Sequence, residues 1–531
     1  MKFHFLVILL SAIAPQSYAV NYYVSASTGN DINDGKSVGK PLLTIQKAAN
    51  LTVAGDTVLV MNGVYNSTSG PVLTITRSGT ASGSITFKAM PGHKPKLTAS
   101  GNVWNAVSIN GSYIVLEGIE LEGNNAKLTY QGALAAYEAQ VAGGPPSATY
   151  NTNALTIGGP RLESRFPHHV TIRGCTIHDF PGGGLTAIQT DYVTFENNRV
   201  YNNAWYMVYG GSGISILTPF NFDKVTTYRN IVRGNVCSGN KTTIPWISLK
   251  RLSDGNGIII DVNQHGYDVK NPTAPNGDEA YLGRTLVENN VSFNNGGSGI
   301  HSYLADHVDI FNNTAYQNGT VVGYPDIFTN QCQDVNIINN IMYARSGGKC
   351  NSKPKNLSEV YAYNLYFNGE VGAMGSNDLV ADPQFVNPST DLALANFALK
   401  PGSPAIDQGS PVPGQFSPFD VLGNGRPQGV KPDRGAYEFL STVTGIAVLP
   451  VNEKATLFPN PARETITIRL PAKYSADAQL EVLSCSGISL KKQMLSANSN
   501  EINIGQLSAG LYVVVIYQNR KIASIHKFVK Q

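Results

Sequence analysis

The stretch Val193-Thr-Phe-Glu-Asn-Asn-Arg-Val-Tyr201 returns in altered copies along this chain. Leu286-Val-Glu-Asn-Asn-Val-Ser-Phe, Val308-Asp-Ile-Phe-Asn-Asn-Thr-Ala-Tyr and Val335-Asn-Ile-Ile-Asn-Asn-Ile-Met-Tyr keep its pattern. Ile231-Val-Arg-Gly-Asn-Val is a weaker copy and Val170-Thr-Ile-Arg-Gly-Cys-Thr-Ile a degenerate one. From Cys175 the anchor moves to Asn198, Asn235, Asn290, Asn313 and Asn340, in steps of 23, 37, 55, 23 and 27 residues. A period in the low twenties with two short β-like runs per unit marks the coil of a solenoid.

Each copy opens with a period-two run in which Val193 and Phe195, or Val308 and Ile310, face one way. That alternation suits a strand buried on one face. A second run such as Gly299-Ile-His-Ser-Tyr follows. The Asn between runs tolerates the left-handed backbone of a tight corner, and stacked amides can hydrogen-bond from coil to coil. A β-sandwich has no reason to repeat a corner residue at a fixed period, and the Leu spacing of a leucine-rich repeat is missing. The expected fold is all-β: a right-handed parallel β-helix followed by a small C-terminal β-sandwich.

Lys2, the apolar run Phe3 to Ile13 and the small residues around Ser17-Tyr18-Ala19 read as a secretory signal peptide, residues 1–19. Its apolar run is too short for a membrane span, and a chain that does not span the membrane is expected. Charged residues make up 14% of the chain and the net charge is +3, so no basic field argues for nucleic acid. Five cysteines, Cys175, Cys237, Cys332, Cys350 and Cys485, are too few and odd for a disulfide framework. Cys332 and Cys350 are the one candidate pair; Cys175 and Cys237 read as buried coil residues.

The segment Pro41-Leu-Leu-Thr-Ile-Gln-Lys-Ala-Ala-Asn has helical spacing at Leu43, Ile45, Ala48 and Ala49 and is expected to cap the open first coil. Ala54-Gly-Asp-Thr-Val-Leu-Val-Met-Asn-Gly-Val-Tyr is the first coil. This opening, with Ser78-Gly-Thr-Ala-Ser-Gly-Ser-Ile-Thr-Phe-Lys-Ala-Met-Pro-Gly-His-Lys-Pro-Lys-Leu, resembles the start of secreted β-helix polysaccharide lyases of the pectate-lyase-like and chondroitinase-B-like groups. The likeness is specific over residues 20 to 120 and general to about residue 345, and it leaves the substrate open.

The β-helix with its N-terminal cap is placed at residues 20–375. Residues 376–440 contain Asp382-Pro-Gln-Phe, Gly402-Ser-Pro-Ala-Ile-Asp and Pro432-Asp-Arg-Gly-Ala-Tyr-Glu-Phe. They resemble the closing segment of exported β-helix proteins of the Bacteroidetes and are expected to cross the last coil, with their Asp residues capping turns. Residues 441–456 read as a linker. From 457 to 531, Phe458-Pro-Asn-Pro-Ala and Gly510-Leu-Tyr-Val-Val-Val-Ile-Tyr closely resemble the C-terminal sorting domain read by the type IX secretion machinery. That resemblance implies a secreted or surface-attached protein; a monomer is expected.

Two insertions break the coil rhythm, residues 125 to 152 and 262 to 284, and on a solenoid such loops wall a groove. Gly213-Ile-Ser-Ile, Gly257-Ile-Ile-Ile-Asp and Gly299-Ile-His-Ser-Tyr are equivalent runs. With Ile214, Ile258 and Ile300 inward, Ser215, Ile259 and His301 point out, as do Asp261 and Tyr303. Lys250, Arg251, Asp254, Asn256, Asp261, His265 and His301 form the densest ionisable cluster of the coils.

The lyase resemblance gives this cluster roles. A base must take the weakly acidic C5 proton of a uronate while its carboxylate is neutralised, and Ca²⁺ on Asp oxygens can do the neutralising. The resemblance implies Asp254 and Asp261, then Asp223, as Ca²⁺ ligands. It implies Lys250 or Arg251 as base, His301 as alternative base or contact, and Asn256, His265 and Tyr303 as substrate contacts. The adjacent aspartates of those lyases are not reproduced. Asp254-Gly-Asn-Gly also reads as an ordinary turn, His301 as a surface residue, and Lys250 and Arg251 as solvated loop charges. Glu196 and Glu288 share one corner slot and read as structural. The expected function is β-elimination of a uronate-containing glycan of the pectin, alginate or glycosaminoglycan class. The alternatives are a glycoside hydrolase with two groove carboxylates and a non-catalytic glycan-binding or adhesive protein.

Overall fold

The structure is a computed structural model; it describes residues 19–159, 166–265, 279–353, 355–412, 416–440, 455–471, 478–484, 489–496, 499–518 and 521–531. Residues 1–18 of the expected signal peptide, Tyr267, Asp268, Lys270 and Asp278 of the second insertion, most of the linker, and Cys485 lie outside the described residues. The chain divides into two units, one of residues 1–411 with 433–437 and one of residues 412–432 with 438–531.

The first unit is a parallel β-helix of three sheets with eleven, eleven and ten strands. Each coil runs through sheet 1, turns a short corner into sheet 2, and crosses a longer loop into sheet 3. In one coil these are the strands Asp191–Glu196, Arg199–Tyr201 and Ile214–Leu217. The two-run reading of the repeat therefore missed a strand: in the coils that carry the repeat, sheet 2 takes only three residues, such as Val291–Phe293, too few to show a period of two. Val170 stacks on Val193 and Val308 on Val335 inside sheet 1, with Asn230 and Thr285 at the same register position in the two coils between them.

Each Asn-Asn corner splits its work. The first residue takes the left-handed conformation, as at Asn197, Asn289, Asn312 and Asn339, with Gly234 in the weak copy. The second turns inward and builds a ladder: Asn198 Nδ2 donates to Asn235 Oδ1, then Asn235 to Asn290, Asn290 to Asn313, Asn313 to Asn340 and Asn340 to Asn364, each at 3.0 Å. Asp378 accepts from Asn364 and ends it. A second ladder, unread in the sequence, runs at the exit of sheet 2 through Asn203, Asn240, Asn295 and Asn318 to Asp326. Glu117, Arg173, Glu196, Arg233 and Glu288 occupy one register position of sheet 1 with alternating charge. That is the structural role expected of Glu196 and Glu288.

The helix Ile45–Leu51 covers the first coil with Ile45, Ala48 and Ala49 buried, and Thr44 caps it by accepting from Lys47 N. Leu43 lies outside the helix and is exposed, while Leu42 takes the buried place. All four described cysteines are buried free thiols, so the candidate Cys332–Cys350 pair is not formed. The segment after residue 380 does more than close the last coil. Its antiparallel pair Phe385–Asn387 and Asn396–Leu399 lays Phe385 and Phe397 on Tyr316 and Tyr343 of sheet 2's outer face. Asp382 caps a turn by accepting from Gln384 N, whereas Asp433 accepts from Asp407 N and joins two distant stretches of the segment.

The second unit holds a three-stranded and a four-stranded antiparallel sheet. Ile466, Ile468, Leu480, Val482, Ile502, Val514, Ile516 and Phe528 fill its core, the alternation expected of a small sandwich. Residues 412–432 group with it, and Phe419 packs beside Val513 and Val515.

Candidate functional site on the outer face of sheet 3

Sheet 3 is the sheet both insertions flank. The loops entering it carry residues 123–152, 202–213 and 239–257; the loops leaving it carry 218–227 and, among the described residues, 262–265 and 279–283. The Ala-rich first insertion folds into the helix Tyr130–Val141, capped by Thr129. Ala133, with Leu134 and Tyr137, packs against Tyr206, Val208 and Ile244, and Gln140 Nε2 donates to Tyr209 OH at 3.0 Å. This is the entry wall.

The exit wall is braced by a buried ion pair. Arg229 and Asp191 have fully buried side chains and bond through two guanidinium nitrogens. Arg229 Nη1 also donates to Asp223 O and Val225 O at 3.0 and 3.1 Å, fixing the loop of residues 218–227. Tyr281 OH donates to Asp191 Oδ1 at 2.6 Å and ties down the end of the second insertion.

Between the walls the expected register holds. Ile214, Ile258 and Ile300 align in the core; Ser215, Ile259 and His301 form one outward row, Leu217, Asp261 and Tyr303 the next. Asp254 sits on the turn before the strand Ile258–Asp261, at φ 63 and followed by Gly255 at φ 71. A methyl group on Gly210 would lie 2.6 Å from Asp254 Oδ2, so the carboxylate approaches bare backbone.

Asp254 and Asp261 keep some solvent access yet are strongly desolvated, as on the floor of a recess. Burial pushes the Asp254 carboxyl up to about 6, a hydrogen bond with Ser253 opposing it. Burial, then repulsion from Asp254, pushes Asp261 up to about 8. Near neutral pH one is mostly ionised and the other mostly protonated, an acid beside a base. Asp261 Oδ1, Thr218 Oγ1 and both His301 ring nitrogens are buried without a hydrogen-bond partner. Such orphans are rare in interiors, and these four atoms belong to sheet 3 and the loop leaving it.

The remaining site expectations sort by position. His301 is 6% exposed and stacks on Phe328 at 4.6 Å, with Tyr303 and Tyr324 around it. Burial drops its pKa to about 3, which makes it a neutral lining ring rather than a surface residue, and a weak base. Asn256 is fully buried; its amide donates to Ser212 Oγ and accepts from Ser298 N. It frames the strand entry and is closed to substrate. Asp223 leaves the acidic set: its carboxylate accepts from Tyr192 OH at 2.9 Å and Val225 N at 3.0 Å, within the exit wall. Lys250 and Arg251 are exposed on the turn where Trp246 N bonds to Arg251 O. Tyr303 and His265 are half-buried, His265 being the last described residue before 266. The sequence reading missed Thr218 and Phe328: one hydroxyl in a loop and one ring among nineteen Phe carry no pattern.

Among the described residues no three His, Cys, Asp or Glu side chains cluster as a metal site. Asp254 and Asp261 fit a cation only as a two-carboxylate seat, the orphaned Asp261 Oδ1 and their mutual repulsion both being relieved by it. Ca²⁺ takes six to eight oxygens, so other donors would complete the shell.

Residues 22–144 match the family described as Pel9A-like, right handed beta helix region, residues 105–280 the right handed beta helix region, and residues 456–531 the secretion system C-terminal sorting domain. Among solved structures, the chain is similar to pectate lyase Pel9A at 17% identity and TM-score 0.44, covering 80% of this chain and 97% of that one. A rhamnogalacturonan lyase matches at 15% and 0.43, over 72% and 97%. The GH136 lacto-N-biosidase of Eubacterium ramulus matches at 15% and 0.39, over 68% and 62%. No curated protein matches the chain.

The chain is a right-handed parallel β-helix protein whose residues 22–144 match the Pel9A-like right handed beta helix region. It ends in a C-terminal sorting domain that marks it for type IX export to the cell surface or beyond. No described helix is long and apolar enough to cross a membrane.

Proposed function

We propose that the protein is an exported carbohydrate-active enzyme that cleaves a uronate-containing glycan by β-elimination in the recess of sheet 3. The observation that carries this reading is the gathering of Asp254, Asp261 and unpartnered polar atoms between two built walls. A glycan lying along the outward rows would meet Leu217, Asp261 and Tyr303 in successive coils, about 4.8 Å apart.

In the reaction a base removes the C5 proton, the electron pair forms the C4–C5 double bond, and the C4–O bond breaks. The departing oxygen then takes a proton. Lys250 or Arg251 on the entry-wall turn remains the proposed base, and its conjugate acid can return the proton to the departing oxygen. A uronate carboxylate would be repelled by the ionised Asp254, so this reading needs positive charge in the recess. Ca²⁺ held by Asp254 and Asp261 would supply it and acidify the C5 proton.

The split between a carboxyl near 6 and one near 8 also favours a second reading: a glycoside hydrolase in which Asp254 is base or nucleophile and Asp261 the acid. Incubation with pectic, alginate and glycosaminoglycan polymers separates the two. Elimination generates the ultraviolet absorbance of an unsaturated uronate, and a chelator abolishes it. Hydrolysis generates reducing ends without that absorbance. Neither product from any polymer removes both readings.

A further inference from the structure

On a different sheet from the recess, the outer face of sheet 2 carries a ladder of rings. His178, Tyr201, Ser238, Phe293, Tyr316, Tyr343 and Phe367 share one register position in successive coils. Six of the seven are rings, and the exception is Ser238. From Phe293 onward the ladder is roofed by Phe385 and Phe397, and the roof ends one rung early. Two strand spacings, about 9–10 Å, therefore separate the Tyr201 and Phe293 rungs. A cavity of about 420 Å³ opens there, bounded by Tyr201, Ser238, Arg199, Asn202, Asn294 and Asp391. Asn294 Nδ2 donates to Thr390 O at 3.3 Å and fastens the overhanging loop to the rim.

We propose that this missing rung is a second saccharide-binding site, in which one uronate ring of a polymer stacks on Tyr201 over Ser238 with its carboxylate toward Arg199. It takes the acidic glycan class from the reading of sheet 3, but its chemistry is holding, not cleavage. Tyr201 is pre-set for stacking: its other face lies on His178 at 4.8 Å and 5°. His178 is itself clamped by Asp179 at 2.7 Å and Glu120 at 3.2 Å. A rigid aromatic face loses little freedom on binding. The rim offers amides and a hydroxyl, which suit the edge of a pyranose. Arg199 is exposed; its backbone N bonds to Cys175 O, and its side chain makes no hydrogen bond or ion pair among the described residues, leaving its planar fork for a carboxylate. The volume lies within the range of small-molecule sites, about 300–1,000 Å³.

The test uses the full chain and retardation in gels cast with polygalacturonate, alginate or a neutral glucan. Tyr201→Ala, Ser238→Phe (which fills the gap) and Arg199→Ala are each expected to weaken retention by an acidic polymer at least tenfold. Tyr201→Phe, which keeps the ring, restores it. Turnover of short oligosaccharides in sheet 3 stays within twofold throughout. Cleavage of an acidic polymer with equal retention in all forms overturns the second site and leaves the reading of sheet 3 standing. Acidic-polymer retention that disappears with Tyr201, without cleavage of any polymer, supports the second site and sinks the catalytic reading. Tyr201-dependent retention by the glucan alone overturns the assignment of a uronate.

Discussion

The corner between sheets 1 and 2 and the outer face of sheet 3 are made by the same coils and obey opposite rules. At the corner the amides of the ladder are spent: Asn290 accepts twice from Asn235 and donates to Val232 O and Asn313 Oδ1. On sheet 3, Asp261, Thr218 and His301 bury polar atoms that nothing satisfies. The first arrangement returns stability for burial. The second leaves groups costly in the empty protein and free for a ligand. A solenoid can carry both because each coil is fixed by its neighbours at the corner, so one face can be left unsatisfied.

The largest effect expected from a single change is in the exit wall. Arg229→Ala strands the buried Asp191 carboxylate and should cost about 3–5 kcal/mol, read as a lower denaturant midpoint; an unchanged midpoint would mean Asp191 is reached by water. Asn290→Ala, at the corner, removes four hydrogen bonds and should cost about 3 kcal/mol. A loss under half of that would show the ladder to be decoration.

Asp261→Asn should do the reverse. The folded carboxyl titrates near 8 and the unfolded one near its ordinary value of 3.8, so between these pH values the folded state holds a proton the unfolded state has lost. The wild type therefore loses stability as pH rises through that window. The variant should match the wild-type Tm near pH 4 and exceed it by several degrees at pH 9, while turnover drops by about 10²–10⁴. Parallel Tm curves would refute the desolvated carboxyl. Gly210→Ala should cost about 1 kcal/mol, from its φ of 70, and lower turnover by displacing Asp254; full activity would place Asp254 outside the chemistry. Lys250→Ala should leave stability within about 0.5 kcal/mol and still lower turnover. Unaltered turnover would move the base to another residue.

The corner was legible because its constraint is local and repeated. Asn at 198, 235, 290, 313 and 340 announces a stacked amide even when the spacing varies. The second ladder at Asn203, Asn240, Asn295 and Asn318 was equally present in the letters but lay outside any apolar phrase, so nothing called attention to it. In the recess, the outward direction of Asp261, His301 and Tyr303 followed from period two alone. Their environment did not: His301 is covered by Tyr324 and Phe328, which come from the following coil, and Asp223 is drawn into a wall by Tyr192.

By itself, then, the sequence determined the parallel coil, its inward and outward faces, and the sorting domain, because periodicity and corner residues act between near neighbours along the chain. Which carboxyls keep their protons, which Asn serves as frame, and where the ring ladder lacks a rung were decided only by the tertiary structure. Desolvation, pairing and vacancy depend on residues that the winding of the chain brings together from tens of positions away.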